Sequence, residues 1–118
     1  MYETIPVRTT ARCQLLNVTD AVRKVVADTG LAHGLVLCYV PHTTAAVTIQ
    51  ENADPAVVGD LLDRLAILAP ANLRDYRHAE GNSDAHVKAS LLGASQTIIL
   101  CDGRLVLGTW QSIYFAEF

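Results

Sequence analysis

Aromatic residues are scarce, seven in 118 positions with a single tryptophan. A core drawn from this chain therefore rests on Val, Leu, Ile and Ala. Basic residues are also few, nine against twelve acidic ones, with no basic run and no basic cluster interleaved with aromatics. The electrostatic footprint of a nucleic-acid binder is missing. The longest apolar stretches, such as residues 97–100, are far short of a membrane span of about 20 residues. The opening Met1-Tyr2-Glu3-Thr4 has neither the charged region nor the apolar run of a signal peptide, so a cytoplasmic location is expected. The three cysteines, Cys13, Cys38 and Cys101, are odd in number and lack CxxC spacing. Cys38 and Cys101 stand in apolar runs, and all three read as small hydrophobes rather than disulfide partners or metal ligands. GxSxG, GxxxxGK[ST] and GxGxxG are absent, which removes the common nucleophile and nucleotide motifs.

What remains is a chain that is 51% apolar and 18% charged, with a formal charge of −3. That balance can build a core without disulfides or metals, and the length fits one domain over residues 1–118. A domain this small buries a modest fraction of its surface, so association is a natural way to bury more.

Residues 4–10 alternate with period two and read as a strand, with Pro6 suited to an edge. Asn17-Val18-Thr19-Asp20 offers capping residues, and Val22, Val25 and Val26 recur at helical spacing until Gly30. Residues 34–40 and 45–50 are β-rich and separated by a few residues including Pro41-His42-Thr43, which predicts a neighbouring strand pair. Asp54-Pro55 is a helix start, with the carboxylate as cap and proline at the first helical position. An apolar face from Val57 to Leu68 follows, and Pro70 ends it. Residues 71–84 turn polar and irregular, a loop of the length that is usually functional or disordered. Residues 85–92 predict a short helix closed by Gly93. Strands follow at 96–101, 104–107 and 110–118, the first two joined by an Asp102-Gly103 hairpin turn. Strands grouped in this way favour an α+β class over a doubly wound parallel sheet.

Three segments place ionisable groups in apolar surroundings. The first is His42-Thr43-Thr44 with Gln50-Glu51-Asn52-Ala53-Asp54. His42 and Glu51 stand at opposite ends of the second β-rich run, so a site sharing them needs the loop or another subunit. Asp54 reads first as a helix cap. The second runs from Tyr76 to Lys88 and holds His78, Glu80, Asn82, Asp84, His86 and Lys88. A helix beginning near residue 85 would put His86 in its first turn, where backbone N–H groups can hold a phosphate and Lys88 can add charge. The third is Gly108-Thr109-Trp110-Gln111, followed by Glu117. Trp110 there reads equally as a core residue or a ligand platform. His33, in a turn after Gly30, reads as solvent-facing and takes no role. His42, His78 and His86 are the right ligand type for a divalent metal, although no linear motif such as HExxH joins them. One of them can equally act as a general base.

Pro41-His42-Thr43-Thr44-Ala45 through Gln50-Glu51-Asn52-Ala53-Asp54-Pro55 resembles the first signature of the YjbQ family. Tyr76-Arg77-His78-Ala79-Glu80-Gly81-Asn82 with Ala85-His86-Val87-Lys88-Ala89-Ser90-Leu91-Leu92-Gly93 is similar to the second. Gly103-Arg104 and Gly108-Thr109-Trp110-Gln111 through Glu117-Phe118 resemble the third. The resemblance implies an α+β fold with an antiparallel β-sandwich core, two main helices and one short helix, assembled as a homotrimer. It implies a secondary thiamine-phosphate synthase activity, a transferase reaction joining a pyrimidine diphosphate to a thiazole phosphate with release of pyrophosphate. The expected catalytic residues are His42, Glu51, His78, Asp84 and His86. Thr43, Asn52, Asp54, Lys88, Trp110 and Gln111 are expected to bind substrate. The expected cofactor is a divalent metal, Zn or Mg, on His42, His78 and His86, and the expected partner is a small phosphorylated metabolite, with no nucleic acid and no membrane. Family members usually continue with an Asp-Gly-Pro-Arg-type tail, where this sequence ends at Phe118. The same residues allow two alternatives, a trimeric metal- or phosphometabolite-binding protein without turnover and a metal-assisted hydrolase.

Overall fold

The computed structural model describes residues 1–118. In chain order the elements are β1 (Gln14–Asn17), α1 (Thr19–Thr29), β2 (Gly34–Tyr39), β3 (Ala45–Glu51), α2 (Pro55–Leu68), α3 (Ser83–Leu92), β4 (Ser95–Cys101), β5 (Arg104–Leu105) and β6 (Gln111–Glu117). The strands form two three-stranded sheets, β1-β6-β3 and β2-β4-β5, with every pairing antiparallel.

Period-two alternation along β3 and β6 decides the layering. Ala45, Val47 and Ile113 point toward the β2-β4-β5 sheet and join Val40, Ile98 and Leu100 in one core, which α1 closes with Val22 and Val26. Ala46, Ala116 and Phe118 point the other way and pack under the helices, against Leu65 of α2 and Ala85 and Ala89 of α3. The order of layers is sheet, sheet, helices. The alanines matter because small side chains let α3 lie close to its sheet.

Local signals explain most of the boundaries. Asp54 Oδ1 accepts from the Ala56 N–H at 2.9 Å, and Pro55 opens α2. Asn17 Oδ1 accepts from Thr19 N and Thr19 Oγ1, and the buried Thr19 hydroxyl in turn accepts from Ile113 N at 2.8 Å. That chain of bonds ties the start of α1 to the middle of β6. The Asp102-Gly103 turn has both residues at positive φ, the conformation that two-residue hairpins favour, and it pairs Cys101 with Arg104.

Three expectations are corrected. Residues 4–10 form no strand, although Ile5, Val7 and Thr9 do alternate inward. Their alternation buries side chains without a hydrogen-bonded ladder, Pro6 lacks a donor, and the first paired strand begins at Gln14. The two β-rich runs around His42 are not paired with each other. β2 pairs with β4 and β3 with β6, so the segment containing Pro41 and His42 crosses from one sheet to the other. Finally, α3 begins at Ser83, two residues before the expected start. No helix is long and apolar enough to cross a membrane.

Candidate functional site

The first turn of α3 holds the densest polar arrangement of the molecule. Asp84 is 1% exposed and Lys88, one helical turn on, is 4% exposed. The Lys88 ammonium donates to Asp84 Oδ2 at 2.9 Å, and Arg12, which is half-exposed, donates to Asp84 Oδ1 at 3.2 Å. Burial alone would push the Asp84 carboxyl up. The Lys88 hydrogen bond and charge, the Arg12 charge and the Ala85 N–H together outweigh it and hold the group below the usual carboxylate range. This triad clamps α3 to the segment that leads into β1.

His86 lies two residues beyond Asp84 on the same helix. Its ring meets that of His78 edge to face, with centroids 5.3 Å apart. Glu80 Oε1 lies 4.0 Å from His78 Nε2. Asn82, which caps the helix through its backbone carbonyl, leaves the Oδ1 end of its side chain buried with no partner. A buried polar atom without a protein partner is uncommon. Two imidazoles and the positive end of a helix can hold an anion, relay a proton or contribute to a metal site, whereas the unpaired Asn82 Oδ1, an acceptor, suits a donor or a cation.

His42 is elsewhere. It lines an open cavity of about 260 Å³ with Val7, Thr9, Thr44, Phe115 and Glu117. Ala45 pairs with Glu117, which puts this cavity at the starting end of β3. Arg12, Gln14 and hence the first turn of α3 adjoin the same end, since Gln14 also pairs with Glu117. The cavity faces the space between the sheets, whereas α3 lies on the opposite face. Within one chain the structure therefore brings His78 and His86 together and leaves His42 apart.

The other end of β3 carries a second polar group. Tyr114 Oη donates to Asn52 Oδ1 at 2.9 Å and lies 3.2 Å from the Glu51 carbonyl, and Asn52 N donates to the Trp110 carbonyl at 2.9 Å. Burial, with the Glu51 charge second, pushes the Tyr114 hydroxyl up, so it stays a donor. Gln111 Oε1 accepts from Gly108 N at 2.7 Å, and a side chain at Gly108 would press on that same amide. Trp110 is 62% exposed and is no core residue. Seven residues of β3 separate Glu51 from the His42 end, about 20 Å.

The expected residues thus fall into separate places. His78 meets His86 of α3, while Asp84 and Lys88 of the same helix are turned inward onto each other. Glu51, Asn52, Trp110 and Gln111 share the far end of β3 and β6, Asp54 caps α2, and Thr43 is exposed beside His42. Sequence reasoning missed Arg12 and Tyr114, which no local signal marks; Asn82 belongs to the second polar segment but takes no role there.

These features define a class, a small antiparallel α+β sandwich backed by helices, with a histidine pair at the mouth of its last helix. Within that class the chain belongs to the YjbQ family: the family model described as UPF0047 protein YjbQ-like matches residues 3–118. It is 48% identical to UPF0047 protein YugU of Bacillus subtilis over 118 residues, all of this chain and 89% of that protein. It is 48% identical to UPF0047 protein MJ1081 of Methanocaldococcus jannaschii over 112 residues, 95% of this chain and 80% of that protein. An uncharacterised YjbQ/UPF0047-family protein of Clostridium acetobutylicum, solved by crystallography, superposes with a TM-score of 0.92 at 49% identity. That match covers 95% of this chain and 86% of the other. A conserved hypothetical protein of Thermus thermophilus gives 0.85 at 45% identity over 92% and 84% of the two chains. Membership accounts for the fold and leaves the reaction to be argued from the site.

Proposed function

We propose that the protein is a transferase acting on phosphorylated small metabolites at a site centred on His78 and His86. Its proposed reaction is of the thiamine-phosphate synthase type. The observation that carries this reading is the His78–His86 ring pair at the start of α3. The reaction breaks the C–O bond between the pyrimidine methylene and its diphosphate, whose electron pair leaves with pyrophosphate. The thiazole nitrogen supplies the pair for the new C–N bond. Such a step needs positive charge on the leaving group and a dry surface for the cation-like pyrimidine.

The α3 N-terminus and the two imidazoles supply the first requirement, with Arg12 held against Asp84 of the same helix turn. Trp110, with Asn52 and Gln111, suits the second as a flat platform with hydrogen-bonding neighbours. These groups are too far apart in one chain, so the reading includes assembly, with the site completed across a boundary between copies. Of the two expected metals, Zn and not the oxygen-seeking Mg fits the donor chemistry if His78 and His86 are joined by His42 of the partner subunit; when bound it would supply charge to the pyrophosphate.

The test is product analysis on tag-free protein given the two phosphorylated substrates with Zn²⁺ or Mg²⁺. Thiamine phosphate and pyrophosphate should appear together, and His86→Ala should lose at least about 100-fold in rate, the scale of one acid–base group. A His86→Ala variant with undiminished turnover sinks the reading. Phosphate release without the joined product identifies a hydrolase, and binding without turnover identifies a carrier.

A further inference from the structure

Three residues with no part in the chemistry above meet at the opposite side of the fold. The β4–β5 hairpin turn rests against the loop between α1 and β2, where Gly103 N donates to the Ala32 carbonyl at 2.9 Å. This contact holds two segments that are about 70 residues apart in sequence. His33 lies on one and Cys101 and Asp102 on the other. His33 Nε2 is 3.5 Å from Asp102 Oδ1, and Cys101 Sγ is 3.9 Å from Asp102 Oδ2. One ligand atom from each residue falls within 4.8 Å of the other two.

Adjacent strand residues point to opposite faces, so a carboxylate next to a thiol does not ordinarily approach it. The positive φ of Asp102, 50°, takes this residue out of strand geometry, and its carboxylate comes near the sulfur. The left-handed turn that makes the hairpin therefore also makes the cluster.

We propose that His33, Cys101 and Asp102 form a site for a borderline-soft divalent ion, Zn²⁺ foremost, with water in the remaining position. The donor set is one nitrogen, one sulfur and one oxygen, which suits Zn²⁺ or Co²⁺ and not the oxygen-seeking Mg²⁺ or Ca²⁺. Tetrahedral zinc with bonds of about 2.0–2.3 Å puts its ligand atoms roughly 3.3–3.8 Å apart. The His33–Asp102 separation is close to that, and the three ligand atoms, all within 4.8 Å of one another on exposed side chains, would close by about 1 Å through side-chain rotation. In the single chain the site is open to solvent, so its metal exchanges readily, and it is independent of the His78–His86 reading.

The test uses full-length, tag-free, reduced protein stripped with a chelator and titrated with Co²⁺. A near-ultraviolet thiolate-to-cobalt charge-transfer band should appear and be displaced by Zn²⁺. Cys101→Ser should abolish the band, and His33→Ala should weaken binding by at least about tenfold, since losing an outer partner alone costs about 10–100-fold. His78→Ala and His86→Ala should leave the band unchanged. Zn²⁺ should also protect Cys101 from iodoacetamide, read by mass spectrometry with Cys13 as the internal reference. No band in the wild-type protein, or a band that survives Cys101→Ser, overturns the proposal.

Discussion

Asp84 is the residue on which the candidate site most depends, because it is a buried charge with two cationic partners. Removing it by Asp84→Ala leaves the Lys88 ammonium buried without its counter-charge, a situation that costs about 3–5 kcal/mol. Urea denaturation should show that loss. Asp84→Leu combined with Lys88→Met should recover much of it, because an apolar pair of similar volume needs no partner. The pH dependence has a defined sign. The folded Asp84 carboxyl titrates below its unfolded value, so its contribution is complete above the ordinary carboxylate pKa of about 3.9 and is lost as pH falls through the lower folded value. Stability measured from pH 7 down to pH 3 should fall less steeply in Asp84→Asn than in the parent. A larger acid sensitivity in the variant would refute this account. At this scale the sequence was partly legible: histidines, Asp84 and Lys88 cluster within a dozen positions and could be picked out. Arg12 could not, because its partner lies 72 positions away and nothing local marks it.

Elements were legible where the signal was local. Asp54-Pro55 starts α2 and Asp102-Gly103 turns the hairpin, because caps and turns are decided by neighbouring residues. Asp54 also tests how far a signature residue is structural. Asp54→Ala should cost about 1 kcal/mol in thermal stability, while Asp54→Ser, which keeps the cap, should cost little. If Asp54→Ser loses turnover while keeping stability, Asp54 touches substrate as well. The misreadings were of pairing. Residues 4–10 have strand-like alternation and bury one side, yet a ladder depends on which backbone lies alongside. β2 and β3 follow one another and look like a hairpin, but both present apolar inner faces to the same core. Placing them in facing sheets buries both, and placing them side by side would not. Such a choice is made by the whole core.

The whole molecule leaves one sheet face uncovered. On the outside of β2-β4-β5, Leu35, Leu37, Tyr39, Ile99 and Val106 are each more than half exposed. The register sets Leu35 beside Ile99, so these side chains form a continuous surface and not scattered positions. β2 carries no charged residue that would discourage association through it. Copies of this chain are the proposed cover, as a homotrimer, and under the proposed function such an assembly would join His42 of one copy to His78 and His86 of the next. Leu37→Asp should convert a trimer into monomers in light scattering, with activity lost alongside. The sharper prediction uses mixing. His42→Ala and His86→Ala proteins should each be inactive alone. In mixed trimers assembled at random, a boundary is intact when a subunit with His86 meets one with His42, which happens at about a quarter of boundaries in a cyclic arrangement. Co-expression should therefore restore about a quarter of parental turnover. If the site lies within one chain, no mixture of the two variants regains activity, because every subunit lacks one histidine. Restoration thus separates a shared site from a self-contained one, wherever on the surface the interface lies.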